Sequence, residues 1–291
     1  MRSLIKHLVK LRNYSVFKKY DFLAKIITKK LPVDENANFV VSIASYPKRD
    51  HLLPAVFQAL TKQTVVPKNW ILVLSNEDYP NGLPTHLKIL QRKGLEVLWV
   101  YDNPYAVKKL IPTIEKYPDL AVITFDDELI YGVRIIEKLI DASRQNKDAI
   151  IGHVGQKFVK INGVLNFKFR SSKAADLSTP SGQVYFLGGS GTYYPAYSLD
   201  ERVCDIKAIH RIVPGRGSDI WFWAAAVAKG TKQICLGSKT NSSLYFPIPS
   251  SKETKPLDTP GADVMKSRFQ LAIDYFGIRE KLLEILPEKD K

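Results

Sequence analysis

Apolar and polar positions alternate in two rhythms from Asn38 onward. Four short apolar runs, "FVVSIAS", "WILVLS", "LEVLWVY" and "LAVITF", are rich in Val, Ile and aromatic residues and read as buried strands. Between them the apolar residues recur at helical spacing. Leu53, Val56, Phe57 and Leu60 mark one helix, "HLKILQRKG" a second that closes on Gly94, and "VKKLIPTIEKYP" a third on either side of Pro112. Ile135, Ile136, Leu139 and Ile140 share one face of a fourth. Strands alternating with helices predict an α/β fold, a mostly parallel sheet with helices on both faces. Such sheets bind ligands beyond the carboxyl ends of their strands.

The stretch "AVITFDDELIY" places Asp126, Asp127 and Glu128 at one such end. Three acids beside a buried strand are costly without a positive partner. A Walker B strand would look similar, but it requires a G-x-x-x-x-G-K-[ST] loop, which the sequence lacks. A sugar nucleotidyltransferase would open with a Gly-rich loop after its first strand, where this chain has "SYPKRDHLLP". A solvated acidic loop capping the next helix is the plain alternative.

Composition adds one feature. The net charge of +14 is uneven: residues 1–31 hold nine Lys/Arg and one acid, Asp21. Charges interrupt this arm too often for a signal peptide, and no stretch approaches the length of a bilayer span. Leu4, Leu8 and Leu11 lie at helical spacing, and Phe22, Leu23, Ile26, Ile27 and Leu31 continue the apolar side. A basic amphipathic helix suits an anionic membrane surface. A helix packed on its own domain is the simpler reading, and no nucleic-acid partner is expected. Cys204 and Cys235 have neither metal-ligand spacing nor a disulfide framework, which fits a reducing compartment. The chain divides into a helical arm (1–31), a catalytic domain (38–240) and a loop with a C-terminal helix (241–291). In that helix Met265, Phe269, Ala272 and Phe276 face the core, while "SKTNSSLYFPIPSSKETKPLDTPGA" reads as a long loop.

Four segments together resemble nucleotide-sugar glycosyltransferases of the GT-A type. These are "VVSIASYPKRDHLLPAVFQALTKQTVVPKNWILVLS", "YPDLAVITFDDELIY", "LGGSGTYYP" and "SDIWFWAAAVAKGTK", which look like the opening strand unit, the D-x-D segment, a glycine-rich stretch and an acidic segment before Trp. The likeness is to family-2-like enzymes of bacterial surface-polysaccharide assembly and covers roughly residues 38–240. Glu128 stands where an Asp is usual, and Ser218 where an acid often precedes Asp219.

The resemblance implies a GT-A-like, Rossmann-type fold and transfer of a sugar from a nucleotide diphosphate, UDP being expected. The acceptor would be a glycan or lipid-linked glycan, on the inner face of the cell membrane. Mn²⁺ or Mg²⁺ would be the positive partner of Asp126, Asp127 and Glu128, since hard cations take oxygen ligands and offset charge on a leaving phosphate. Ala44, Ser45, Tyr46, Asn76, Lys108, Lys109 and Asp126 would border the donor. Gly188, Gly189, Ser190 and Trp221 would shape the sugar and acceptor pocket. Asp219 would be the base of an inverting transfer, although it or Ser218 also suits a helix cap. His153 and His210 are read as structural. A nucleotidyltransferase, or a non-enzymatic membrane- or nucleic-acid-binding protein, are the competing readings.

Overall fold

A computed structural model describes residues 2–27, 29–171, 180–182, 184–237, 244–249 and 261–288. Helix α1 (Arg2–Ile26) leads into β1 (Phe39–Ala44). Then follow α2 (Leu53–Leu60), β2 (Trp70–Ser75), α3 (Thr85–Arg92), β3 (Leu95–Val100), α4 (Ile111–Lys116) and β4 (Ala121–Phe125). These match the rhythms of the sequence, and Pro112 falls in the first turn of α4, where its missing N–H is tolerated. Next come β5 (Leu129–Tyr131), α5 (Ile135–Gln145), β6 (Ile150–Ile161), β7 (Val164–Ser171), β8 (Val184–Phe186) and β9 (Thr192–Tyr194). The chain continues through α6 (Ile206–Ile212), α7 (Ser218–Lys229), β10 (Gln233–Gly237), β11 (Tyr245–Pro247), α8 (Ala262–Phe276) and α9 (Arg279–Ile285).

The main sheet runs β10-β6-β9-β4-β1-β2-β3, with β7 and β8 added beside β6. The pairs β1–β2, β2–β3, β1–β4 and β6–β10 are parallel, whereas β9 lies antiparallel between β4 and β6. Strand order reverses at β1, which has β2 on one side and β4 on the other. The crevice at such a reversal is where doubly wound sheets bind ligands. The β1–β4 register, Ile43 opposite Phe125, brings Ser45 and Asp126–Glu128 to the same edge.

Alternation along β1 feeds two cores. Phe39, Val41 and Ile43 pack with Phe57, Leu87, Ile136 and Leu139 on one face. Val40 points to the other, with Leu110, Ile209, Trp221, Phe222 and Phe269. Both faces are therefore covered, as the near-continuous apolar strands require. Helix α1 joins the first face through Val16, Phe17 and Tyr20 and buries Asn13. Its exit is fixed where Leu31 N–H donates to Lys93 O and Lys93 Nζ to Ile27 O. Leu4, Leu8, Leu11, Phe22 and Ile26 do not pack inward; they are exposed. The expected long loop is partly ordered as β11, which pairs with β5; residues 238–243 and 250–260 of it lie outside the described residues.

Candidate active site

Beyond β4 the three acids take different surroundings. Asp127 is buried, and both its oxygens are engaged: Ser45 Oγ donates to Oδ2 at 2.7 Å and Arg49 Nη1 to Oδ1 at 3.2 Å. The other arm of the same guanidinium reaches Glu128 Oε2 at 2.8 Å. Asp126 is about a third exposed and meets Lys109 Nζ at 3.1 Å. The positive partners inside the chain are thus Arg49 and Lys109. Burial pushes the Asp127 and Glu128 carboxyls up, with Arg49 pulling both down.

Tyr131, fully buried on β5, holds the turn. Asp126 N–H donates to its hydroxyl at 2.7 Å, and that hydroxyl lies 2.8 Å from Gly189 O. The glycine-rich segment is thereby drawn over the acids. It forms a short 3-10 turn, Gly188–Ser190. A Cβ on Gly189 would lie 2.3 Å from Asp126 Oδ2, and one on Gly188 2.7 Å from Asp219 Oδ1. Only glycine admits this approach.

Asp219 arrives on the first turn of α7. It does not cap the helix: Gly217 holds that position, and no side chain caps it. Instead Asp219 Oδ2 accepts from Gly188 N–H at 3.2 Å, and Oδ1 lies 3.9 Å from Lys109 Nζ. Lys109 is therefore a buried cation shared by Asp126 and Asp219. Burial works against its charge, but the two carboxylates outweigh it and raise its pKa. Burial likewise raises the Asp219 carboxyl, against the pull of Lys109.

Asp126, Asp127, Glu128, Lys109, Ser45, Gly188, Gly189 and Asp219 thus converge. The remaining expected residues vary. Ala44 ends β1, half-buried, and the Tyr46 ring lies under the Arg49 guanidinium at 5.6 Å. Among the described residues the buried Tyr46 hydroxyl has no hydrogen-bond partner. Ser190 Oγ donates to Leu187 O. Asn76 follows β2, exposed. Lys108 turns away from its neighbour, toward Asp78 at 3.3 Å and Asn103, and burial lowers its pKa. Trp221 is core: its indole donates to Val203 O at 2.8 Å and stacks on Tyr275. His153 is buried and donates from Nε2 to Ile135 O, while His210 pairs with Asp102. Neither enters the cluster. Arg49 and Tyr131 are the residues that sequence reasoning missed. The only signal for Arg49 was a base just past the first strand.

The donor chemistry of these residues suits a divalent cation in part. Among the described residues no group of three His, Cys, Asp or Glu is arranged to hold a metal. Mg²⁺ and Mn²⁺ sites with phosphate ligands, however, typically need only one or two carboxylates. Asp126 and Glu128 fit that role, being partly exposed oxygen donors. Asp127 does not fit it, since both its oxygens are occupied. Arg49 serves Asp127 and Glu128, and Lys109 serves Asp126 and Asp219.

The fold is a GT-A-like α/β architecture. Among solved structures it resembles S. aureus TarS residues 1–349 in complex with UDP-GlcNAc, with a TM-score of 0.50 at 10% identity, covering 83% of this chain and 66% of that one. The UDP complex of the same protein gives 0.48 at 11%, covering 81% and 66%. Mannosyltransferase PcManGT from Pyrobaculum calidifontis, in complex with GDP-Man and Mn²⁺, gives 0.43 at 12%, covering 82% and 68%. The chain spans 60% to 66% of the first three TarS chains it matches in these structures. At such identities the likeness is one of fold. No protein-family model and no curated protein matches the chain.

Proposed function

We propose that this chain is a metal-dependent, inverting glycosyltransferase using a nucleotide-diphosphate sugar, with UDP as the nucleotide. The observation that carries the reading is the meeting of Asp126 and Asp219 around Lys109, under the Gly188–Gly189 turn. Its position at the β1/β4 reversal is where a nucleotide would lie. The fold likeness to a protein crystallised with UDP-GlcNAc supports the donor class.

In this reading Asp126 and Glu128 would hold the divalent cation. When bound, the cation offsets negative charge on the departing diphosphate. Asp219 takes the proton from the acceptor hydroxyl. The acceptor oxygen bonds to the anomeric carbon as the carbon–oxygen bond to the diphosphate breaks, and the electron pair leaves with the nucleotide. A base so placed typically contributes ~10² to 10⁴-fold. Lys109 keeps Asp219 and Asp126 in register, and Arg49 with Ser45 fixes Asp127 as the buried footing of the turn. Ala44, Ser45, Tyr46, Asn76 and Lys108 border the nucleotide side of the crevice. Ser190, with the two glycines, bounds the sugar side. The acceptor is a glycan, free or lipid-linked, and the working place is the cytoplasmic side of a membrane.

Calorimetry with UDP, with and without Mn²⁺, tests the reading. Tight UDP binding only with Mn²⁺, lost in Asp126→Asn and Glu128→Gln, is expected. Binding of a nucleoside triphosphate with a sugar phosphate instead would point to a nucleotidyltransferase. No nucleotide binding at all would overturn both.

A further inference from the structure

Helix α1 has two unlike faces. At 3.6 residues per turn, Asn13, Val16, Phe17 and Tyr20 fall on one side, the side docked on the sheet-covering helices. Leu4, Leu8, Leu11, Phe22 and Ile26 fall within an arc of about 60° on the opposite side. Each of the five is between 52% and 63% exposed. Single exposed leucines need no explanation, but a stripe running along a helix of 25 residues does. Lys18, Lys19 and Lys25 border it, all exposed, and the arm's one acid, Asp21, is already paired with Lys25 at 3.0 Å. No helix among the described residues is long and apolar enough to cross a membrane.

We infer that this outward stripe of α1 seats the protein on the surface of an anionic phospholipid bilayer. The stripe enters the acyl boundary while the flanking lysines meet headgroup charge. Charge decides among occupants. A second copy would set two strongly positive arms against each other, and a nucleic acid would leave five apolar side chains in water. A negatively charged apolar surface satisfies both halves of the helix. The arm also leans on the site: Arg12 lies over the Phe246 ring of β11 at 5.1 Å, β11 pairs with β5, and Ile248 N–H donates to Glu128 O at 2.9 Å. Resting on the transferase reading, this neighbourhood makes a lipid-linked acceptor the fitting one.

Co-sedimentation of the full chain with phosphatidylcholine vesicles, neutral or one-third phosphatidylglycerol, tests the proposal. Binding to the anionic vesicles alone, weakening as salt rises, is expected. Leu8→Ser with Phe22→Ser should lower the partition coefficient at least tenfold, and Lys18→Glu with Lys19→Glu by more, at unchanged Tm. The proposal is overturned if the protein ignores anionic vesicles at low salt, or if neither variant weakens binding. It is equally overturned if the serine variant instead dissolves a dimer in sedimentation velocity, or if duplex DNA binds more tightly than the vesicles. UDP binding by the same samples is read separately, so failure at the membrane and failure of the transferase reading are told apart.

Discussion

The Lys109 ammonium lies 3.9 Å from the Asp219 carboxylate, and neither residue is held there by helix capping. The buried cation and the Gly188 N–H favour the ionised form of this carboxylate, the form that the proposed base requires. Asp219→Asn keeps size and the bond from Gly188 but removes the basic oxygen. Sugar transfer is expected to fall about a hundredfold or more, with UDP affinity and Tm near those of the parent. Transfer at the parent rate would return Asp219 to a structural role.

On the proposed mechanism the same carboxyl would set a pH limb. Burial raises its pKa above the ordinary carboxylate value, so the base is lost to protonation earlier as pH falls. The acid limb of kcat/KM should therefore lie above the range of an exposed aspartate. A flat profile down to that range would exclude Asp219 as the proton acceptor.

Arg49 and Asp127 form a largely buried pair. Removing one partner leaves a charge without compensation, which typically costs about 3–5 kcal/mol. Arg49→Met should lower stability on that order in urea unfolding. Adding Asp127→Asn should recover much of the loss, because the orphaned charge is gone. Equal stability of the parent and the single variant would show that the pair is unimportant to the fold.

Gly189→Ala places a methyl 2.3 Å from Asp126 Oδ2. At that distance the turn or the Asp126 carboxylate must shift. Loss of Mn²⁺-dependent UDP binding is expected while the circular-dichroism spectrum stays native. Unchanged binding would mean that Asp126 does not sit under the turn in solution.

His153 carries a stability prediction. Burial holds its imidazole at about 4, against ~6.5 in an unfolded chain. Within that window the unfolded state takes up a proton that the folded state refuses, so stability falls as pH drops. The loss reaches on the order of 3 kcal/mol at the lower end. Tm measured across the window should slope less in His153→Gln than in the parent.

Much of the sheet could be read in advance because β1 to β4 are continuous apolar runs with helices between them. No strand beyond Phe125 was read. Strands β6 to β8 mix Lys, Gln and Gly with apolar residues, as in "GHVGQKFVKI"; β6 and β7 form an antiparallel hairpin across Asn162 and Gly163, and β8 also pairs antiparallel with β6. The acids were visible as a cluster on a strand end, but their partners were not. Arg49 is far from Asp127 in sequence and meets it only because strand order reverses at β1. Trp221 looked available because it lies only two residues beyond Asp219. A helix sets residues two apart about 200° from each other, so the turn that brings Asp219 to Lys109 sends Trp221 into the core. The arm was read as one apolar side, whereas Val16, Phe17 and Tyr20 dock and the leucines face outward.

The fixing of the arm at Leu31 and Lys93 has a geometric outcome. A helix tied at its end and packed along its inner face cannot swing independently of the sheet. On a bilayer it would act as a keel, setting the tilt of the crevice toward the lipid as well as its height. The encounter with a lipid-borne acceptor then becomes a search in a plane by a body of fixed attitude, governed by surface density rather than by bulk concentration.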